Sequence, residues 1–117
     1  MQLSTDLKHL TTEKQLLETI SANKNVMVCC GRMGPMCIPV YGSMKELEDE
    51  GNHEHVAFFD MAFDSPESKY IRAHELCRDF MGLPFTMYFK DGKAVKATSS
   101  IQARDQVEAI IAEYLTK

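Results

Sequence analysis

The chain reads as an α/β protein with a mixed central sheet covered by helices on both faces. Three observations predict this. Short apolar runs alternate with segments of helical apolar spacing, the order that produces parallel crossovers. The pair Asp91-Gly92 separates two strand-like runs near the end, which marks a tight hairpin and makes the last two strands antiparallel. Cap and stop residues fall between the elements, at Thr12, Gly51, Ser65-Pro66 and Gly82.

Each element has a local reason. A short strand is expected near Leu7–Leu10. Thr12 with Gln15 three residues later is a capping box, and Leu16, Leu17 and Ile20 continue it as a helix that ends near residues 23–25. Asn25 to Cys30 is short, apolar and partly β-branched, a buried strand. Gly31 to Pro35 is a loop by its Gly and Pro content. Met36 to Glu50 reads as a helix stopped by Gly51, with Pro39 in its first turn or two.

Val56-Ala57-Phe58-Phe59-Asp60-Met61 is the next buried strand. Ser65-Pro66 opens a third helix, on which Tyr70, Ala73, His74, Cys77 and Phe80 share one face until Gly82. Phe85 to Lys90 and Lys93 to Thr98 are the hairpin strands. Ser99, with Gln102 three residues on, is expected to cap a last helix whose packed stripe is Val107, Ile110, Ile111, Tyr114 and Leu115.

The composition narrows the function classes. A length of 117 residues suits a single domain over 1–117, large enough for a core without disulfide or metal staples. The formal charge of −4, with no basic cluster, argues against nucleic acid or an anionic membrane as partner. No apolar run approaches the roughly 20 residues that span a bilayer. No basic-then-apolar leader opens the sequence, so a cytoplasmic protein is expected. In such a compartment Cys29, Cys30, Cys37 and Cys77 are expected as free thiols. No C-x-x-C occurs, so neither a zinc framework nor any other cofactor is expected. Oligomeric state is not legible.

The informative stretch is Met33-Gly34-Pro35-Met36-Cys37, between an apolar strand and a helix. Together with Val26-Met27-Val28 before it, and with Gly82-Leu83-Pro84-Phe85-Thr86 leading into Tyr88-Phe89-Lys90-Asp91-Gly92-Lys93, it resembles the thioredoxin-like family. The resemblance runs from about residue 5 to the end of the chain. It implies a thioredoxin fold, a cis proline at Pro84, and a site in the loop where Cys-Gly-Pro-Cys stands in the family. Here the Gly-Pro pair is kept and each flanking cysteine reads as methionine. A thioether forms neither thiolate nor disulfide, so ordinary dithiol exchange is not expected at this motif. The tryptophan that usually precedes the motif reads as Arg32, and the family's buried strand acid falls near Cys29. The longer segment between Asp64 and Pro84 implies an extended third helix.

Three functional readings follow. In the first, the chain binds a polypeptide partner at a surface of Arg32, Met33, Gly34, Pro35, Met36, Leu83, Pro84 and Phe85, using main-chain hydrogen bonds and pliable apolar side chains. In the second, Cys37 in the first turn of its helix is a reactive thiol toward a thiol client. The helix dipole and Arg32 would favour its thiolate, and Cys29, Cys30 or glutathione would resolve the mixed disulfide. In the third, Met33, Met36 and Cys37 offer soft sulfur to Cu(I), with His74 or His53-Glu54-His55 as the only histidines in question. His74 and Cys77, three apart, are also candidates for a Cys-His pair. Against each stands the bland alternative of cysteines and methionines that fill a core.

Overall fold

The computed structural model describes residues 1–117. Its elements are β1 (Lys8–Leu10), α1 (Glu13–Ala22), β2 (Asn25–Gly31), α2 (Ile38–Asp49), β3 (Ala57–Ala62), α3 (Lys69–Arg72), β4 (Phe85–Lys90), β5 (Lys93–Ser99) and α4 (Arg104–Tyr114). The strands form one mixed sheet in the order β1-β3-β2-β4-β5. β2 pairs parallel with β3 and antiparallel with β4, and all seven of its residues are buried. This is the α/β architecture that the alternating pattern predicts.

Alternation along the strands divides the core in two. Met27 and Cys29 face α2 and α4, where Val40, Tyr41, Met44, Leu47, Val107 and Ile111 cover them. Val26, Val28 and Cys30 face the other way, against Leu16 and Ile20 of α1 and Ile71 of α3. The stripe predicted for α4 packs as expected. Val107, Ile111 and Leu115 are buried, while Ile110 and Tyr114 pack at its margin.

The hairpin turn also follows its sequence: Asp91 and Gly92 both take positive φ, 52° and 83°. Thr12 caps α1, its Oγ1 accepting from Gln15 N–H at 3.0 Å. The return bond of the box is displaced by one residue, since Gln15 Oε1 accepts from Thr11 N–H at 2.8 Å.

Three expectations need correction. α2 begins at Ile38, two residues later than its apolar pattern implies, because Gly34 O accepts from both Cys37 N–H (3.1 Å) and Ile38 N–H (3.0 Å) in a tight turn. Pro39 then sits within the first helical positions, where its missing N–H has no partner to lose.

The extended third helix does not form. Ser65 caps a single 3₁₀ turn at Pro66–Ser68, α3 adds four residues, and a second 3₁₀ turn covers Glu75–Cys77. The break is at His74, whose backbone is extended (φ −67°, ψ 144°) and whose Nδ1 accepts from Leu76 N–H at 3.1 Å. A local side-chain cap has displaced the helical bond.

Ser99 does not cap α4. It continues β5 opposite Phe85, and its Oγ accepts from Met81 N–H at 3.3 Å. Ala103 opens the helix without a side-chain oxygen, and Gln106 Oε1 accepts from Ala103 N–H at 2.7 Å. No helix is long and apolar enough to cross a membrane.

The cap at Thr12 gives a direct check on this reading of α1. Replacing Thr12 by Ala should lower stability by about 1 kcal/mol, seen as a lower urea midpoint with unchanged slope.

Candidate functional site

The motif loop is built around Gly31, the last residue of β2. A Cβ added at Gly31 would stand 2.6 Å from Tyr41 Oη, 2.9 Å from Cys37 Sγ and 3.2 Å from Pro84 Cβ. The end of the strand, the start of α2 and the turn before β4 therefore converge on one hydrogen atom's space. Cys37 Sγ accepts from Arg32 N–H at 3.4 Å, and Tyr41 Oη donates to Arg32 O at 3.0 Å, so both hold the loop from below. The Leu83–Pro84 peptide is cis, as the resemblance implies.

Above this junction lies an apolar groove of about 420 Å³. Met36 and Pro35 form one wall and Leu83 the other, Phe63 and Phe80 close one end, and Cys37 lies at the floor. Phe63 and Phe80 stack with centroids 5.5 Å apart, and Phe80 meets Phe85 edge to face at 6.1 Å. The Leu83 N–H and C=O make no hydrogen bond within the chain, although Gly82 O accepts from Ser100 N–H at 2.9 Å. An open main-chain donor and acceptor thus border an apolar trough.

The sequence-level candidates separate here. Arg32, Gly34, Pro35, Met36, Cys37 and Leu83 line the groove, with Pro84 beneath it. Met33 does not: it lines a smaller depression with Thr5, Ile38 and Lys45. Phe85 is buried in the sheet and supports Phe80 from below. The two thioethers therefore line different hollows.

The Arg32 guanidinium is paired with Asp64. Nε and Nη2 donate to the two carboxylate oxygens of Asp64 at 2.7 and 2.8 Å. That pair holds the Asp64 carboxyl below its ordinary range. The His74 ring makes no hydrogen bond to the Cys77 thiol; its Nδ1 accepts from Leu76 N–H in the cap. Phe63 and Phe80 were missing from the sequence-level surface, their stacking being purely tertiary.

The cysteines sort by face. Cys37 is the N-cap residue of α2 rather than a member of its first turn, and only 3% of it is exposed. Cys29 lies on the same face of β2 as Gly31 and in the same apolar cluster as Cys37. Burial pushes its thiol well above the ordinary range, opposed by Thr86 Oγ1, which lies 3.6 Å from Cys29 Sγ. Cys30 belongs to the opposite core, where burial pushes its thiol up to about 12.

Cys29 also belongs to a polar row that sequence reading missed. Across the sheet, His9 pairs with Asp60, Asp60 with Cys29, Cys29 with Thr86, and Thr86 with Thr98. Partners in register point to the same side, so these side chains form a line across all five strands. Asp60 is wholly buried. Thr5 Oγ1 donates to its Oδ2, and His9 Nδ1 lies 2.8 Å from its Oδ1. Burial raises the Asp60 carboxyl, against the lowering effect of Thr5 and His9. The available signal was a lone acid inside an apolar strand, which must find partners when buried.

No protein-family model matches this sequence, and no curated protein matches it. Solved structures match its shape. Oxidised thioredoxin from Plasmodium falciparum superimposes with a TM-score of 0.74 at 16% identity, over 95% of this chain and 100% of that one. Thioredoxin from Malassezia sympodialis gives 0.75 at 12% identity, over 99% and 96%. Oxidised mitochondrial thioredoxin 3 from Saccharomyces cerevisiae gives 0.73 at 19% identity, over 92% and 94%. The chain has the thioredoxin fold.

Two outcomes follow from this geometry. Gly31→Ala should cost about 1–3 kcal/mol, because Tyr41 and Cys37 must move out of a packed junction, and calorimetric melting reads the loss. Asp60 sets a pH dependence of known sign. Its folded carboxyl binds the proton more tightly than the unfolded one, so its contribution is fully present below the ordinary value of 3.8 and is lost as pH rises through the raised value. The stability of the parent chain relative to Asp60→Asn should therefore fall from acid toward neutral pH in parallel urea titrations.

Proposed function

We propose that this chain is a thioredoxin-shaped binding module that takes an extended polypeptide into the groove between Met36 and Leu83, with no dithiol exchange at the motif. The observation that carries the reading is the free main-chain pair of Leu83 beside apolar walls. A peptide lying along Leu83 would gain strand-like hydrogen bonds, and Met36, Phe63 and Phe80 would receive its apolar side chains. Methionine suits such a surface because its unbranched thioether adapts to different partners. On this reading Met33 and Met36 stand where the thioredoxin dithiol stands.

A second reading keeps a thiol chemistry, favoured by the place of Cys37 at the groove floor with Cys29 on the same face. Cys37 thiolate would attack a client disulfide, release the client thiol and leave a mixed disulfide, which Cys29 would resolve. Cys30, in the opposite core, is not placed for that step. Alkylation rate against pH, with peptide mapping, separates the two readings. Selective reaction of Cys37 well below the free-thiol value of about 8.5 supports the second, and slow reaction until unfolding supports the first.

The binding reading is tested with a library of short extended peptides and fluorescence anisotropy. Met36→Asp should weaken the best peptide by about tenfold or more, roughly 1.4 kcal/mol, while Met33→Asp should leave it unchanged. Equal effects of both substitutions, or no binding peptide in the library, would contradict the groove as the site.

A further inference from the structure

Cys77 is the one cysteine of the four that is not fully buried. It takes no part in the groove, and it packs against the apolar cluster that contains Cys30, Ile71 and Phe85. Cys30 is paired with Phe85 across β2 and β4, and the Phe80 ring lies edge to face on Phe85 at 6.1 Å. Phe80 is tied to Cys77 directly, its N–H donating to Cys77 O at 3.1 Å. Cys30, Phe85, Phe80 and Cys77 therefore form one neighbourhood under the closed end of the groove.

The two thiols sit on backbones of unequal rigidity. Cys30 is fixed in the central strand by ladders on both sides. Cys77 ends a single 3₁₀ turn, in a stretch from Ala73 to Phe80 whose backbone bonds are all of the local turn type. Such a stretch can adjust to the narrow geometry a disulfide demands, while the strand stays in place.

We propose that Cys77 and Cys30 are an oxidisable pair, which a hydroperoxide converts into an intrachain disulfide beneath the Phe80 wall of the groove. In the first step the Cys77 thiolate attacks the peroxide O–O bond. Cys77 becomes a sulfenic acid, and the other oxygen leaves, protonated, as alcohol or water. In the second step Cys30 sulfur attacks the Cys77 sulfur, the S–O bond breaks, and the Cys30 proton leaves with hydroxide as water. In total two thiols and one hydroperoxide give one disulfide, one alcohol and one water. The order of attack follows from exposure. Burial raises both thiols, that of Cys30 up to about 12, and Arg72 opposes the rise at each, so it is the partial exposure of Cys77 that lets a hydroperoxide reach it first. The bond would pull the Cys77 turn toward the sheet and move Phe80, so oxidation would reshape the groove. Only that consequence rests on the polypeptide-binding reading; the chemistry stands without it.

The test uses the full chain with hydrogen peroxide as the oxidant and no peptide present. Remaining thiols are alkylated in denaturant and the chain is digested with trypsin. The expected product joins the fragment Asn25–Arg32 to Ala73–Arg78 with the loss of two hydrogens. It persists in Cys29→Ser and Cys37→Ser and vanishes in Cys77→Ser, with Cys77→Ala as the substitute should the serine variant not fold. Oxidised Cys77 beside an alkylated Cys30, a disulfide between two chains, or a link whose bonded sulfur belongs to Cys29 or Cys37, with Cys30 alkylated, would overturn the pair. The ring resonances of Phe63 and Phe80 should shift on oxidation. Unmoved rings beside the expected link would overturn the coupling to the groove, and failure of peptide binding would bear on neither result.

Discussion

Gly31 is where three distant parts of the chain meet at van der Waals distance, and the motif loop, the groove and the Pro84 turn are arranged around that meeting. The missing side chain lets Cys37 and Tyr41 come in from α2 and Pro84 from the turn before β4. Gly31 carries the main chain of the junction as well, since its O accepts from Phe63 N–H at 2.9 Å. The same glycine thus positions the groove floor, through Cys37, and its far end, through Phe63. Close packing of this kind has little tolerance for added volume, because neighbours already fill the space.

Around that junction the polar groups are satisfied by one another. The one cation in the groove lining, Arg32, is neutralised by its pair with Asp64. The buried acid, Asp60, lies one strand over from Cys29 and is satisfied by Thr5 and His9 from the N-terminal segment. Such burial is tolerable only because both carboxylate oxygens have partners. The Asp60 partners also fasten residues 5–10 to the sheet, beside Leu3 and Leu7, which belong to the core under α2. What lines the groove is then thioether, aromatic ring, thiol and the paired Arg32, with one free peptide unit at Leu83.

The sheet was legible because its strands are short, apolar and separated by strong signals. β4 matched its expected bounds, and the left-handed turn at Asp91-Gly92 is chemistry those two residues favour. The third helix was not legible, because Tyr70, Ala73, His74, Cys77 and Phe80 do follow helical spacing. The choice went to a His74 side-chain cap that periodicity does not register. Outside a helix, Phe80 stacks on Phe63 at the groove, a contact that helical spacing does not register. Met33 and Phe85 are expected in the binding surface that the resemblance implies, yet the tight turn at Gly34 leaves Met33 in another hollow and alternation buries Phe85. The polar row needed strand register, which no local pattern carries.

The most direct measurement is amide hydrogen exchange, residue by residue, with and without a saturating extended peptide. The Leu83 amide has no partner in the free chain, so it should exchange freely alone and become protected when the peptide adds its main chain there. A peptide that binds while Leu83 stays unprotected, or that protects only the loop around Met33 and Ile38, would contradict the groove as the binding site.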